Sequence, residues 1–259
     1  MNAFYLIFLL LTIGIQPIFA EEILITISSD REEIVFDGRW SHMLEWKRTS
    51  LTEMNYDDGT NIKLRTAHEG NFLYIFVDFV SDTIADKGAD RTIICIDSKN
   101  NKSLQSDEND FCFSVALARN GFTYQGGSSL KYHGNFEKIV NHDDFIAVSS
   151  ISNEHDRYSS IPHTGFEFKI PIEMFGRSNN YGFFVAVYDD YSKTTYTWPE
   201  NIDLAGPFDI PSPSKWGNLV SPDNSLPELN WPIFSLMVLL LIPIIFLKKN
   251  ILRFNNITE

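Results

Sequence analysis

Positive charge and sulfur are what this 259-residue chain has least of: 21 Lys and Arg stand against 34 Asp and Glu, with two Cys and five Met. The formal net charge of −13 argues against nucleic acid or an anionic membrane surface as a partner, because both repel such a field. It suits cations or neutral ligands, although an acidic surface also serves simply to keep a protein in solution. Neither a CxxC pair nor a Cys/His zinc spacing occurs. GxSxG, HExxH, GxGxxG and P-loop patterns are absent too, so no common catalytic signature is present. The adjacent acids Asp57-Asp58 and Asp143-Asp144 would point to opposite faces of a strand and act as turn formers in a loop. They supply no pair of carboxylates facing across a cleft, as glycoside hydrolysis requires. Long helical periods are few, and there is no internal repeat.

What the chain does have is aromatic residues, 14% of the total with 21 Phe and 10 Tyr, a composition suited to a β-rich core. The stretch from Asn71 to Leu117 organises the rest. Apolar runs NFLYIFVDFV, RTIICID and FCFSVAL alternate with the loops SDTIADKGAD and SKNNKSLQSDEND, the pattern of consecutive strands joined by acid-rich connections. Strands are expected at Ile23–Ser28, Ile34–Phe36, Ile62–Ala67, Phe72–Phe79, Thr92–Asp97, Phe111–Ala118, Phe122–Tyr124, Phe145–Ser150, Gly165–Ile170, Phe183–Tyr188 and Thr195–Trp198. A short helical turn is expected at Ile172–Phe175. The spacing, with Gly and Asp/Asn turns between, predicts an all-β antiparallel β-sandwich over residues 21–220.

Both ends carry apolar runs. Residues 4–19 end in Ala20 before Glu21-Glu22, as in a secretory signal peptide of residues 1–20, although no Lys or Arg precedes the run and an uncleaved anchor is the alternative. Residues 221–230, with Pro222 and Pro227, read as an extended tether. Trp231–Leu247 is apolar and is followed by Lys248, Lys249 and Arg253. At helical rise those residues cover roughly 25 Å, enough for one transmembrane helix with a slight mismatch. The basic tail 248–259 would then be cytoplasmic and the preceding domain extracytoplasmic, a single-pass cell-membrane protein. Pro227-Glu228, the apolar run and the basic cluster are also similar to the three-part sorting tails of some prokaryotic surface proteins.

Cys95 and Cys112 sit on neighbouring expected strands. Alternation puts Ile94 and Ile96 on one face and Cys95 on the other, and likewise sets Cys112 opposite Phe111 and Phe113. The sulfurs can therefore share the face away from the core. In an extracytoplasmic domain they would form a disulfide; two buried free thiols are the alternative. Asn101-Lys102-Ser103 is an N-glycosylation sequon in an exposed loop, with Asn101 the acceptor.

Several short signatures fall in a distinctive order. Phe36-Asp37-Gly38 precedes Trp40, Glu45 and Trp46, and His68-Glu69-Gly70-Asn71 leads into Phe72–Ile75. Asp90 precedes the strand ending in Asp97, and Asp110 leads into Phe111–Val115. Gly165–Pro171, Gly182–Val185 and the closing Pro213-Ser214-Lys215-Trp216-Gly217-Asn218-Leu219 follow. Over about Ile23 to Leu219 this order resembles carbohydrate-binding module family 9 and the related DOMON-like domains. The resemblance implies a jelly-roll-like sandwich of two antiparallel sheets, with ligands that range across the family from sugars to haem.

In the sugar-binding members of such a family, flat rings clamp the sugar. Trp216, in the closing motif, is the first candidate here. The second platform expected before the strand of Asp97 is missing, since Ala85–Ala89 holds no aromatic. Tyr124, Trp40 and Trp198 are the possible substitutes, and the competing role of Trp40, Trp46 and Trp216 is to plug the ends of the core. The resemblance includes structural calcium in some members. Asp82, Asp86 and Asp90 flank one loop, and Asp97, Asp107 and Asp110 with Glu108 and Asn109 line the other, so two neighbouring hairpin ends are expected to bring many hard oxygen ligands together; the alternative is solvated turn acids. Haem would need a pair drawn from His68, His133, His163, Met43, Met54 and Met174. The expected function is thus a membrane-anchored, non-catalytic domain recognising glycan, with calcium as a stabiliser. The alternatives are a structural surface or envelope protein that contacts other proteins, and a haem-binding electron carrier.

Overall fold

A computed structural model describes residues 21–27, 34–129, 132–154 and 156–221. The expected signal segment, the tether beyond Ser221, the 231–247 span and the basic tail lie outside them. Among the described residues no helix is long and apolar enough to cross a membrane.

Fourteen strands are present among the described residues: β1 (Glu22–Leu24), β2 (Thr26–Ile27), β3 (Ser50–Asn55), β4 (Asn61–Glu69), β5 (Phe72–Phe79), β6 (Arg91–Asp97), β7 (Asp110–Ala116), β8 (Phe122–Gln125), β9 (Glu137–Ile139), β10 (Ile146–Ile151), β11 (Thr164–Pro171), β12 (Asn180–Asp189), β13 (Thr194–Trp198) and β14 (Gly217–Val220). They form two sheets. The larger runs β1-β14-β12-β6-β7-β8-β9 with β13 also on β12, and the smaller runs β10-β11-β5-β4-β2 with β3 also on β4. The expected all-β sandwich is therefore present, and the expected turn after β11 is a 3-10 turn at Ile172–Met174.

Three departures from the expected pattern have physical causes. Ile34–Phe36 forms no strand, while β3, β9 and β14 were not anticipated. β3 pairs only with β4 and its sequence SLTEMN buries just Met54, so it carries little of the apolar alternation by which a strand is recognised. The sheets are also not wholly antiparallel. β1 pairs parallel with β14 in the larger sheet, and β2 pairs parallel with β4 in the smaller. One expected strand is thus divided at Ile25, whose N–H donates to Val220 O at 2.8 Å, and it joins both sheets. Finally, β5 and β6 belong to different sheets, so segment 80–90 crosses the sandwich instead of closing a hairpin.

Period-two alternation fills the space between the sheets. Ile94, Ile96, Phe113, Phe183 and Val185 from the larger sheet meet Ile75, Val77, Phe166, Phe168 and Leu64 from the smaller in one buried cluster. Each outer face is covered as well. On the larger sheet, Cys95, Cys112, Phe184 and Ala186 pack beneath Phe136, Ile210 and Trp216. On the smaller, Tyr74, Phe76 and Ala67 pack beneath Ile34, Trp40 and Trp46. That second cover is pinned by Glu167 of β11. Its carboxylate accepts the Asp37 and Gly38 N–H groups at 2.9 and 2.7 Å and the Trp46 indole N–H at 2.9 Å. Gly38 is required at the contact: its φ is +86°, and an added Cβ would lie 2.3 Å from backbone atoms of Ser149 and Ser150.

Candidate ligand-binding site

The tryptophans expected as sugar platforms are core residues. Trp40, Trp198 and Trp216 are 1%, 3% and 2% exposed, and Trp46 is fully buried. Trp216 lies parallel to Phe136 and Phe184 and donates its indole N–H to Pro211 O at 3.0 Å. Trp198 packs on Phe183 in the inter-sheet core. Trp40 lies edge-on to Tyr158, with the Arg65 guanidinium 5.2 Å from its ring centre. In each case the apolar ring is worth more in the core than in water, at roughly 25 cal/mol per Å² of apolar surface removed.

Tyr124 of β8 is placed differently. It is half-buried and lines a cleft on the outer face of the larger sheet with Arg91 of β6, Tyr188 of β12, and Phe208 and Asp209 of the segment that follows β13. The cleft's enclosed space is small, about 50 Å³, and it opens to solvent. Phe208 is 38% exposed. It stands edge-on to Tyr188 at 4.9 Å, with the Arg91 guanidinium 4.0 Å from its centre. Arg91 Nε is buried without a hydrogen-bond partner, and Asp209 lines the same cleft. Aromatic surface next to a fixed cation and a carboxylate matches a polyhydroxylated ring, which has apolar C–H faces and polar edges. Of the cleft's residues only Tyr124 is a candidate from the sequence; Arg91, Tyr188, Phe208 and Asp209 are not, because pairing between distant strands creates the cleft.

The acidic candidates separate into two groups. Segments 80–90 and 98–109 lie at opposite ends of β6, and strand rise over its length keeps them about 20 Å apart. In the first group, Asp82 turns aside to accept Thr164 Oγ1 at 2.7 Å and Ile84 N at 3.2 Å. Burial pushes its carboxyl up to about 6. Asp86 and Asp90 are instead joined by Asp189 from the end of β12, with one carboxylate oxygen from each lying within 4.8 Å of the others. The pairing of Tyr188 with Arg91 brings Asp189 there. Asp86 Oδ2 is buried without a partner, and the three carboxylates are an all-oxygen donor set of the kind calcium takes.

In the second group, Asp97 and Asp110 face each other as a cross-strand pair. Asp97 accepts the N–H groups of Lys99 and Lys102 at 3.1 and 3.0 Å. Asp110 accepts Asp107 N at 2.7 Å, and burial pushes its carboxyl up to about 7, with the facing Asp97 adding to the rise. Asp107 is half-buried and closes its own turn by accepting Asn109 N at 2.8 Å and Asn101 Nδ2 at 2.9 Å. Asn101, the sequon residue, is exposed. Lys102 donates to the carbonyls of Trp216 and Gly217 at 2.7 and 2.6 Å, tying this loop to the start of β14. Of the residues considered for haem, Met54 is buried in the core, Met43 is 77% exposed, and His163 is bonded to Asp78. The His133 side chain lies outside the described residues.

The architecture and its covered faces define an all-β sandwich domain. No protein-family model matches the chain, and no curated protein matches it. Among solved structures it is similar to a carbohydrate binding module family 9 domain from Caldicellulosiruptor kristjanssonii in complex with glucose. The TM-score is 0.50 at 15% identity, over 78% of this chain and 95% of that one. It is also similar to a family 9 module from the same organism in complex with cellotriose, with TM-score 0.48 and 14% identity over 78% and 93%. The fold is thus like that of family 9 carbohydrate-binding modules, as the order of sequence signatures implied.

Proposed function

We propose that this protein is a non-catalytic carbohydrate-binding domain and that its sugar seat is the cleft of Tyr124, Arg91, Tyr188, Phe208 and Asp209. The observation that carries the reading is the half-exposed Phe208 ring held against Arg91 and Tyr188 in an open cleft, on a fold similar to that of a module solved with glucose. A sugar face would stack on Phe208 or Tyr124, while Arg91 and Asp209 hydrogen-bond its hydroxyls. Calcium belongs to the same reading as a structural ion held by Asp86, Asp90 and Asp189, where it would neutralise three facing carboxylates and fasten the crossover between the sheets. The disulfide supports an oxidising, extracytoplasmic setting. The apolar segments at the two ends of the sequence are the proposed means of export and single-pass anchoring.

Calorimetric titration of the full chain with glucose and cello-oligosaccharides, backed by a glycan array, tests the sugar reading. Saturable binding that is lost in Phe208→Ala and Arg91→Ala, with the cooperative melting transition retained, is expected. Binding that survives both variants places the sugar elsewhere, and no binding across the array returns the protein to the surface-contact class.

A further inference from the structure

A second buried constellation lies far from the cleft's chemistry, on the outer face of the smaller sheet. Asp78 occupies an outward position on β5, after Tyr74 and Phe76. His163 immediately precedes β11, and Asp156 is in the loop between β10 and β11. The side chains of all three are fully enclosed. His163 Nε2 lies 2.6 Å from Asp78 Oδ1 and 3.8 Å from Asp156 Oδ1.

The ring's tautomer follows from its other nitrogen. Nδ1 lies 2.8 Å from the carbonyl oxygen of Ile161, which can only accept, so Nδ1 carries a proton. Ser152 Oγ, 3.0 Å from Nδ1, accepts the His163 backbone N–H at 3.0 Å. With Nδ1 protonated, the 2.6 Å contact of Nε2 with Asp78 Oδ1 needs a second ring proton, so in the metal-free protein a proton holds the place beside the two carboxylates that a metal cation can take. This is also how metal-binding histidines are held, with the far N–H on a backbone carbonyl.

The acids have unspent capacity. Asp156 Oδ1 accepts the Tyr158 and Ser159 N–H groups at 2.8 and 3.3 Å, yet Asp156 Oδ2 and Asp78 Oδ2 are both buried without a partner. Lys63, across from Asp78 on β4, is bridged to Glu53 at 2.8 Å. One oxygen from each acid and one imidazole nitrogen lie within 4.8 Å of one another.

We propose that Asp78, Asp156 and His163 form a binding site for a divalent transition-metal ion of the zinc type. Two bonds of 2.0–2.1 Å at a tetrahedral angle set their donors about 3.3 Å apart. Asp78 and His163 therefore open by several tenths of an ångström and Asp156 closes by about half an ångström. The imidazole ligand selects zinc or cobalt over calcium, which prefers oxygen alone. Bound metal replaces the proton on Nε2 and clamps Asp156 and His163 to β5.

The full chain, stripped with chelator, is titrated with cobalt and then zinc, following cobalt's visible absorption and the heat of zinc binding. One equivalent is expected to bind, displaced by zinc but not by excess calcium. His163→Ala should abolish the signal. Asp156→Asn keeps Oδ1 as an acceptor for the loop N–H groups, so it should fold normally and bind at least about tenfold more weakly. Asp86→Asn, in the proposed calcium group, should leave zinc affinity unchanged. Absence of saturable binding, equal affinity in Asp156→Asn, or loss of binding in Asp86→Asn overturns the assignment.

Discussion

Cys95 and Cys112 stand directly opposite each other on β6 and β7, with Cα atoms 4.1 Å apart, and their disulfide lies on the outer face of the larger sheet beneath Trp216. It closes a loop of separation 17 that contains the whole second acidic segment. A loop of that length restricts the unfolded chain by about 3 kcal/mol. Cys95→Ala/Cys112→Ala should lose roughly that much in denaturant unfolding. An unchanged midpoint would show that β-pairing alone holds the hairpin.

Trp216 and Phe208 should separate stability from binding. Trp216→Ala opens a cavity between Phe136 and Phe184, at a cost of about 3–5 kcal/mol. Phe208→Ala removes a ring that is already 38% exposed and should cost well under half as much, while abolishing sugar binding. Equal destabilisation by the two would mean that Phe208 is part of the cover and not of the seat.

The Asp97–Asp110 pair predicts an unusual pH dependence. Asp110 is raised to about 7 in the folded state from an ordinary 3.8, so the native protein holds a proton that the unfolded chain releases. Its contribution is complete below the ordinary value and is lost as pH rises through about 7. Asp78 and Asp82, each raised to about 6, act with the same sign. In chelator, the melting temperature should fall between pH 5 and 8, and Asp110→Asn should flatten that fall. A steeper fall in the variant would contradict the assignment.

Calcium should oppose that trend through the other acidic group. Binding to the folded state alone raises stability by mass action, about 2.7 kcal/mol at a hundredfold excess over the dissociation constant. A thermal scan of the full chain at pH 7.5 with millimolar calcium should show a reversible upward shift that Asp189→Asn removes. The same shift in wild type and Asp189→Asn would place the ion elsewhere.

Gly38→Ala tests the cover of the smaller sheet. Its Cβ would meet the backbone of Ser149 and Ser150 2.3 Å away at a φ of +86°, so the 34–49 segment must lift from the sheet and from Glu167. Several kcal/mol of destabilisation is expected, on the order of a severe packing mutation. Loss of the slow amide exchange at Asp37 and Gly38 would locate the damage.

Much of this architecture is legible in the chain itself. Alternation in ICID and FCFSV places both cysteines on one face and Ile94, Ile96 and Phe113 on the other, because a strand's period of two is local. Nine of the strands, β4 to β8 and β10 to β13, could be drawn for the same reason, and the order of the short signatures carried the fold. What covers each face depends on partners far along the chain. Trp216 is a core ring because Phe136 and Phe184 meet it, and Tyr124 lines a cleft because segment 207–210 folds across its sheet. Asp189 reaches Asp86 and Asp90 only through the β6–β12 register, and Asp78 reaches His163 only through that of β5 with β11. Local periodicity decides which side chains share a face; long-range strand pairing and the segments folded over it decide which of those faces stay open to a ligand.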